Sequence, residues 1–394
     1  MTDHRLEVAD VFRQYEQEFM AQWGHTLSYQ QRRVFRDICA CRTPALGAHI
    51  EQCDHCLEQT LNYNSCRSRC CPKCQSAARD KWLLAQSAQL LPVPYCHIVF
   101  TLPHELSPLA LQNPRLIYGI LFRSVSETLL TIAADPHRLA ARIGFLAVLH
   151  TWSQKMLHHP HIHCLVPAGG LSLDRSRWIA CRGRFFLPAA VLKSRFRRCF
   201  LLLLAAAYRR KQLRLSGRLR HLRKPEAFDR LLRTLRKNKW VICVKRPFGG
   251  PEHVLKYLAH YTHRIAISNG RLIALQDGKV TFRWRDSADN NLQKLMTIDA
   301  IEFIRRFLIH VLPAGFVKIR YFGILANRHS QKSLALCRSL LPSSRQVTEL
   351  MTECRLRAVR RQCPACHHGT LHVVGWVSAE IIETLVNRVK VDSS

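Results

Sequence analysis

GFLAVLHTWSQKMLHHPHIHCLVPAGG, from Gly144 to Gly170, decides the fold. It contains two strand-like runs, GFLAVLHTW (Gly144 to Trp152) and HIHCLVPAGG (His161 to Gly170), joined by a polar connection ending in Pro160. Two adjacent runs of this kind most simply form an antiparallel pair. Strand alternation then sends His161 and His163 to one face and Ile162 to the other. Upstream, YCHIVFTLP (Tyr95 to Pro103) alternates in the same way, and a helical stretch from about Leu109 to Ala134 lies between. The middle of the chain therefore reads as α+β built on an antiparallel sheet.

Towards the N-terminus, the first 35 residues keep helical periodicity, with Val8, Val11, Phe12, Phe19 and Trp23 on one broad face. Ser28 is placed to cap a further helix through Val34, Phe35 and Ile38. Between Cys39 and Cys74 the pattern breaks: 36 residues hold eight Cys and two His, too little apolar surface to order themselves. Cys53-x2-Cys56 and Cys71-x2-Cys74 are two thiolate knuckles, which together satisfy tetrahedral zinc. Cys41, His49, Cys66 and Cys70 remain for a second, interleaved zinc site, while Cys39 either replaces a ligand or packs against a helix. Near the other end, Cys363-x2-Cys366 with His367, His368 and His372 reads equally as a third zinc site or as a turn without metal. Helical spacing resumes from Ala77 to Leu91, and Pro92 and Pro94 punctuate a boundary.

The whole chain has 394 residues, with 60 Lys and Arg against 27 Asp and Glu, a net charge of +33. An apolar content of 47% with 16 Gly and 17 Pro excludes a disordered basic tail. A folded surface this positive calls for a polyanionic partner, with nucleic acid first and a membrane surface second. The N-terminal segment shows no signal-peptide pattern, and the longest apolar run, Cys199 to Tyr208, is shorter than the roughly 18 residues of a membrane span. A cytoplasmic protein is expected, its 17 Cys serving as metal thiolates rather than disulfides. From Lys193 to Arg246 there are 19 Lys and Arg against Glu226 and Asp229, which places 17 of the 33 net charges in 54 residues. The apolar residues there keep helical spacing, so this reads as an ordered basic helical insertion. Beyond it, strands are expected at Ile265 to Ile267, Arg271 to Leu275 and Val280 to Trp284, and a basic-sided helix from Ile298 to Leu312.

Chemistry enters through two motifs. His161 and His163 on one strand face make half of a divalent-cation site, although a packed pair has the same spacing. Tyr257 and Tyr261 are one helical turn apart after the Gly249, Gly250, Pro251 break, so both phenols share a face. Tyrosines at that spacing commonly pack a core, yet tyrosine is also a covalent nucleophile. A cation polarising a scissile phosphate would allow a phenol to attack phosphorus, leaving a phosphotyrosine on one DNA end and a free 3′ hydroxyl on the other. For a third ligand His97 ranks first, because it lies on the Tyr95 to Pro103 strand; His150, Gln154, His260 and His263 follow. Trp240, Phe282 and Trp284 are candidates for base stacking or for core packing.

HHPHIHCLVPAGGLS, KYLAHYTHRIAIS, EFIRRFLIHVLPAGFVKIRYFGILANR, CRTPALGAH and NSCRSRCCPKCQ together resemble the insertion sequence 91 family of transposases, two-tyrosine members of the HUH endonuclease superfamily. The resemblance runs in order from about Ile38 to Arg328. It implies that His161 and His163 bind a catalytic Mg²⁺ or Mn²⁺ and that Tyr257 and Tyr261 are the nucleophiles. It further implies a palm-like antiparallel sheet with flanking helices, an N-terminal domain holding structural Zn²⁺, and rolling-circle transposition through single-stranded DNA. One departure is visible, since Cys70 stands where the family pattern has His.

The resulting expectation is a helical and zinc-binding domain over 1–91, a two-tyrosine catalytic domain over 92–330 with the basic insertion at 193–246, and a C-terminal segment over 331–394. DNA contacts are expected from Arg264, Arg305, Arg306, Lys318 and Arg320. The chain has no GxxxxGK[ST] loop, so host replication or helicase machinery must supply unwinding. A plasmid replication initiator or relaxase of the same superfamily, and a non-catalytic zinc-finger DNA-binding protein, are the competing readings.

Overall fold

The structure, a computed structural model, describes residues 5–75, 82–83, 85–86, 89–181, 187–245, 254, 265–286, 288–326, 330–341 and 362–384. Helices and antiparallel sheets are mixed, and the chain divides into two compact units. One comprises residues 85–262 and 312–349; the other gathers 1–84, 263–311 and 350–394.

In the first unit a five-stranded sheet runs in the order Ile319–Gly323, Gly144–Trp152, His158–Pro167, Tyr95–Thr101, Val241–Val244. The hairpin expected from Gly144 to Gly170 forms its centre. Val148 lies opposite His163 and His150 opposite His161, while Val99 and Thr101 flank the same histidines from the other side. Alternation does the rest. Ile98, Phe100, Phe145, Ala147, Leu149, Ile162, Cys164 and Val166 turn to the opposite face and are buried in the core. The helices Pro114–Ala134 and Ala189–Arg209 contribute to that core through Ile117, Leu121, Val125 and Leu129, and through Leu192, Phe196, Phe200 and Leu204. Each such side chain stabilises by about 1.5–3 kcal/mol. Gly323, at φ +60, brings the last strand against the Ile143 carbonyl, where a Cβ would collide.

The helix expected from Leu109 to Ala134 is broken at Asn113, because Pro114 has no N–H to donate and instead starts a new helix. Pro114–Ala134 is long and apolar enough to cross a membrane by length alone, but 67% of its apolar window is buried inside the protein.

The basic stretch from Lys193 to Arg246 is helical, through Ala189–Arg209 and Pro225–Lys237, but it is not an insertion laid on a finished domain. Phe196, Phe200, Leu219, Leu222, Phe228, Leu235 and Trp240 belong to the core, and Val241–Val244 is a strand of the sheet itself. Its apolar face completes the domain, while its charges face water.

In the second unit the helices Val8–Gln14, Glu16–Trp23 and Tyr29–Ala40 bury Phe12, Phe19 and Phe35 against one another. Ser28 caps the third helix as expected. Its Oγ accepts from the Gln31 N–H at 3.3 Å, and Gln31 Oε1 accepts from the Ser28 N–H at 2.9 Å. The helix Ala300–Leu308 adds Phe307, edge-on to Phe12. The strands Leu272–Gln276, Lys279–Asp286 and Leu292–Asp299 form one three-stranded sheet. Ile265 to Ile267, expected as a strand, is irregular. A further sheet places Ala48–Cys53 between Gln59–Tyr63 and Leu371–Val377. The residues beyond 330 thus divide, with helix Ser330–Ser339 in the first unit and strand Leu371–Val377 in the second.

Candidate metal centres

His150, His161 and His163 converge on the face of the five-stranded sheet opposite that core, each offering a ring nitrogen within 4.8 Å of the other two. The Gly144–Trp152 and His158–Pro167 strands bring them together. Antiparallel register sets His150 across from His161, and period-two alternation sets His163 on the same side. Hydrogen bonds then orient the rings. Nδ1 of His161 is 2.7 Å from the His159 carbonyl, so Nδ1–H donates there and leaves the Nε2 lone pair outward. Nδ1 of His163 is 2.9 Å from Nε2 of His97, and the two rings are stacked at 5.1 Å.

Burial keeps the His161, His163 and His97 imidazoles neutral. It pushes His161 down to about 4 and His163 well below the usual imidazole range, aided there by the neighbouring His150. His97 is pushed down to about 3 by burial and then by the Lys245 charge. Three imidazoles on one face suit a divalent cation, and two of them, His161 and His163, have no proton to displace at neutral pH. The set is all nitrogen, which favours Mn²⁺ over the oxygen-preferring Mg²⁺.

Among the expected third ligands, His150 joins His161 and His163, and His97 does not. His97 pairs with Leu165, one step beyond His163 along the strands, so its ring backs His163 instead of facing the trio. Tyr257 and Tyr261 lie outside the described residues, as do His260, His263 and Arg264.

The cysteines also assemble differently from the expected sets. Cys41, Cys66, Cys71 and Cys74 form one group of four, with Cys74 Sγ 3.5 Å from Cys41 Sγ and 3.6 Å from Cys66 Sγ. Cys53 and Cys56 join Cys363 and Cys366, not Cys71 and Cys74. The reason is strand pairing: Cys53 ends the strand Ala48–Cys53 opposite Leu371, close in sequence to Cys363 and Cys366, whereas Cys41 caps the Tyr29–Ala40 helix before that strand begins. Hydrogen bonding by Cys66 and then Cys71 draws the Cys41 thiol down to about 7. The Gly369 and His368 N–H groups draw Cys366 to about 6. His49, expected as a ligand, is held by Asn64 Oδ1 at 2.8 Å and faces Glu51 at 3.5 Å. Cys70 belongs to neither group. Spacing alone could not find these sets, because half of one lies some 300 residues downstream.

Three of the expected DNA-contacting cations, Arg305, Arg306 and Arg320, are engaged within the protein. Arg305 and Arg306 both bond Glu302, at 2.6 and 2.7 Å. The Arg320 guanidinium lies 4.1 Å over the Phe122 ring, on the sheet's buried side, and Lys318 accepts from the Leu149 N–H through its carbonyl. Trp240 and Phe282 are buried, and Trp284 lies beneath Lys294. The open cations are elsewhere. Arg195, Arg198, Arg218, Arg220, Arg230, Arg233 and Lys237 are exposed, and among the described residues none forms an ion pair.

A family profile described as "Putative transposase" matches residues 144–333, and one described as "Transposase zinc-binding domain" matches residues 11–102. A putative transposase, y4qJ, of Sinorhizobium fredii is 52% identical over 376 residues, covering 93% of this chain and 94% of the relative. A transposase for insertion sequence element IS801 of Pseudomonas savastanoi pv. phaseolicola is 28% identical over 344 residues, covering 84% and 78%. No solved structure matches.

Proposed function

The chain belongs to the insertion sequence 91 family of transposases, with the family's zinc-binding domain at its N-terminus, and from this we propose that it moves DNA by rolling-circle transposition. It acts as a single-strand endonuclease and strand transferase, and its five-stranded sheet serves as the palm of an HUH endonuclease. The observation that carries this reading is the convergence of His150, His161 and His163 on one face of the sheet. Mg²⁺ or, by preference, Mn²⁺ held by these three imidazoles would supply polarisation of the scissile phosphate.

Tyr257 and Tyr261 act as nucleophiles. The phenolic oxygen of one attacks phosphorus, the P–O3′ bond breaks, and a 5′-phosphotyrosine and a free 3′ hydroxyl result. The second tyrosine allows a second strand to be cut while the first end is held. Attack by the 3′ hydroxyl on the phosphotyrosine restores the phosphodiester without ATP. Chain connectivity supports the pairing of these tyrosines with the histidine face. Lys245, at the end of the Val241–Val244 strand, donates its N–H to the His97 carbonyl at 2.9 Å, and Tyr257 follows twelve residues later.

His97 acts as a positioning residue. For Nε2 of His163 to bind a cation, its proton must sit on Nδ1 and be donated to His97 Nε2, so His97 fixes the tautomer from behind. The cysteine group Cys41, Cys66, Cys71 and Cys74 holds structural Zn²⁺ in the N-terminal domain. The exposed cations of the Lys193 to Arg246 stretch guide single-stranded DNA exposed by host replication or helicase machinery.

The test is incubation with labelled single-stranded oligonucleotides from the ends of the element and Mn²⁺. An SDS-resistant protein–DNA adduct is expected, lost on adding chelator and in the Tyr257→Phe, Tyr261→Phe double variant. Adducts that persist in the double variant, or none on any end oligonucleotide, would overturn the mechanism.

A further inference from the structure

We infer that Cys53, Cys56, Cys363 and Cys366 form a second structural zinc site, one that fastens the 362–384 ribbon into the N-terminal domain across some 300 residues of chain. Cys53 Sγ lies 3.7 Å from Cys366 Sγ, and Cys56 Sγ lies 3.7 Å from Cys363 Sγ. A tetrahedron of thiolates at a Zn–S distance of about 2.3 Å has edges of about 3.8 Å. A disulfide would need about 2.05 Å.

Both knuckles have the backbone that metal thiolates use. The N–H groups of His55 and Cys56 point to Cys53 Sγ at 3.4 and 3.5 Å, and the Gly369 N–H points to Cys366 Sγ at 3.4 Å. These donors stabilise sulfur carrying negative charge, a need that a pair of neutral thiols does not create. Gly369 packs so closely on Cys53 Sγ and the Asp54 carboxylate that a Cβ there would collide. Asp54 exchanges two hydrogen bonds with Thr370: its carboxylate accepts from the Thr370 N–H at 2.7 Å, and its N–H donates to the Thr370 carbonyl at 3.1 Å.

Packing alone does not account for the closure. In the strand Leu371–Val377, Val373, Val374 and Trp376 are 48%, 53% and 68% exposed, so the ribbon adds little apolar burial to the sheet it joins. A four-thiolate metal contributes the missing stabilisation, as it does in small domains without a core of their own. Four sulfurs in a tetrahedron select Zn²⁺ among common divalent ions, with iron as the alternative. Cys53 and Cys56 lie within the zinc-binding profile match over residues 11–102, whereas Cys363 and Cys366 lie beyond both matches, the later of which ends at residue 333. One consequence is kinetic. The domain started by Cys53 and Cys56 closes only after Cys363 and Cys366 have been synthesised.

The experiment measures metal content in the full-length chain, purified under reducing conditions. Two zinc per chain are expected in the wild type and one in the Cys363→Ser, Cys366→Ser double variant, with the Cys41 group unchanged. A count identical in both proteins, or iron in place of zinc, overturns the assignment. Alkylation mapped by mass spectrometry tests it without any variant. Cys363 and Cys366 should resist a thiol reagent in the zinc-loaded protein and become modified once a strong chelator strips the metal. Modification of both before chelation, or protection that survives chelation and yields only to a disulfide reductant, also sinks it.

Discussion

At the scale of single residues, the division of labour among four histidines turns on which nitrogen carries a proton. His161 donates Nδ1–H to a backbone carbonyl, which every residue can provide, whereas His163 depends on a side chain, His97. His97→Phe keeps the stacked ring and removes the acceptor. We expect Mn²⁺ affinity, measured by electron paramagnetic resonance, to weaken roughly 10–100-fold. Adduct formation should return at saturating Mn²⁺, and His97→Asn, which keeps an acceptor, should lie between. An unchanged Mn²⁺ affinity would refute the positioning role, and adducts lost even at saturating metal would make His97 a direct ligand. The sequence showed that His161 and His163 share a face, because alternation is local. It could not rank His150 over His97. In a hairpin the partner of His161 depends on where the turn falls, and the polar run from Ser153 to Pro160 admits several positions. Register places His150 there, and register is fixed by which apolar residues the whole sheet buries.

At the scale of elements, what was legible followed periodicity, and what was hidden followed long-range pairing. The strand Gly144–Trp152 and the Ser28 cap were readable because each signal is confined to a few residues. The Leu371–Val377 strand was not, because its reason for forming is Ala48–Cys53, over 300 residues away. The basic helices show a third case: composition identified their charge but concealed their packing role. Trp240 is buried, with its indole N–H on the Leu235 carbonyl at 2.8 Å and its ring edge-on to Phe196 and Phe200 at 5.3 and 5.5 Å. If these helices complete the core, Trp240→Ala should cost about 3–5 kcal/mol in denaturant unfolding. Arg233→Gln, on the exposed side of the same segment, should change stability by less than about 0.5 kcal/mol. Similar small effects from both substitutions would mean that the segment is an appendage after all.

At the scale of the molecule, a charge of +33 raises the question of where a polyanion runs. Arg305, Arg306 and Arg320 have internal partners, so their charges are partly committed before any ligand arrives. The exposed cations of the Ala189–Arg209 and Pro225–Lys237 helices and the turn between them are not, and that difference is measurable. Binding of a single strand releases counterions, so log K falls against log salt with a slope of roughly 0.7 for each phosphate neutralised. Replacing Arg218, Arg220, Arg230 and Arg233 by Gln, four exposed positions in one continuous stretch, should lower that slope by up to about 3. Anisotropy of a labelled oligonucleotide titrated across a range of KCl reads it directly. Arg305→Gln with Arg306→Gln, in contrast, should change the slope by less than about 1, since those guanidiniums must leave Glu302 before they can meet a phosphate. The reverse ranking would move the DNA path off the basic helices and onto the unit that holds the cysteines.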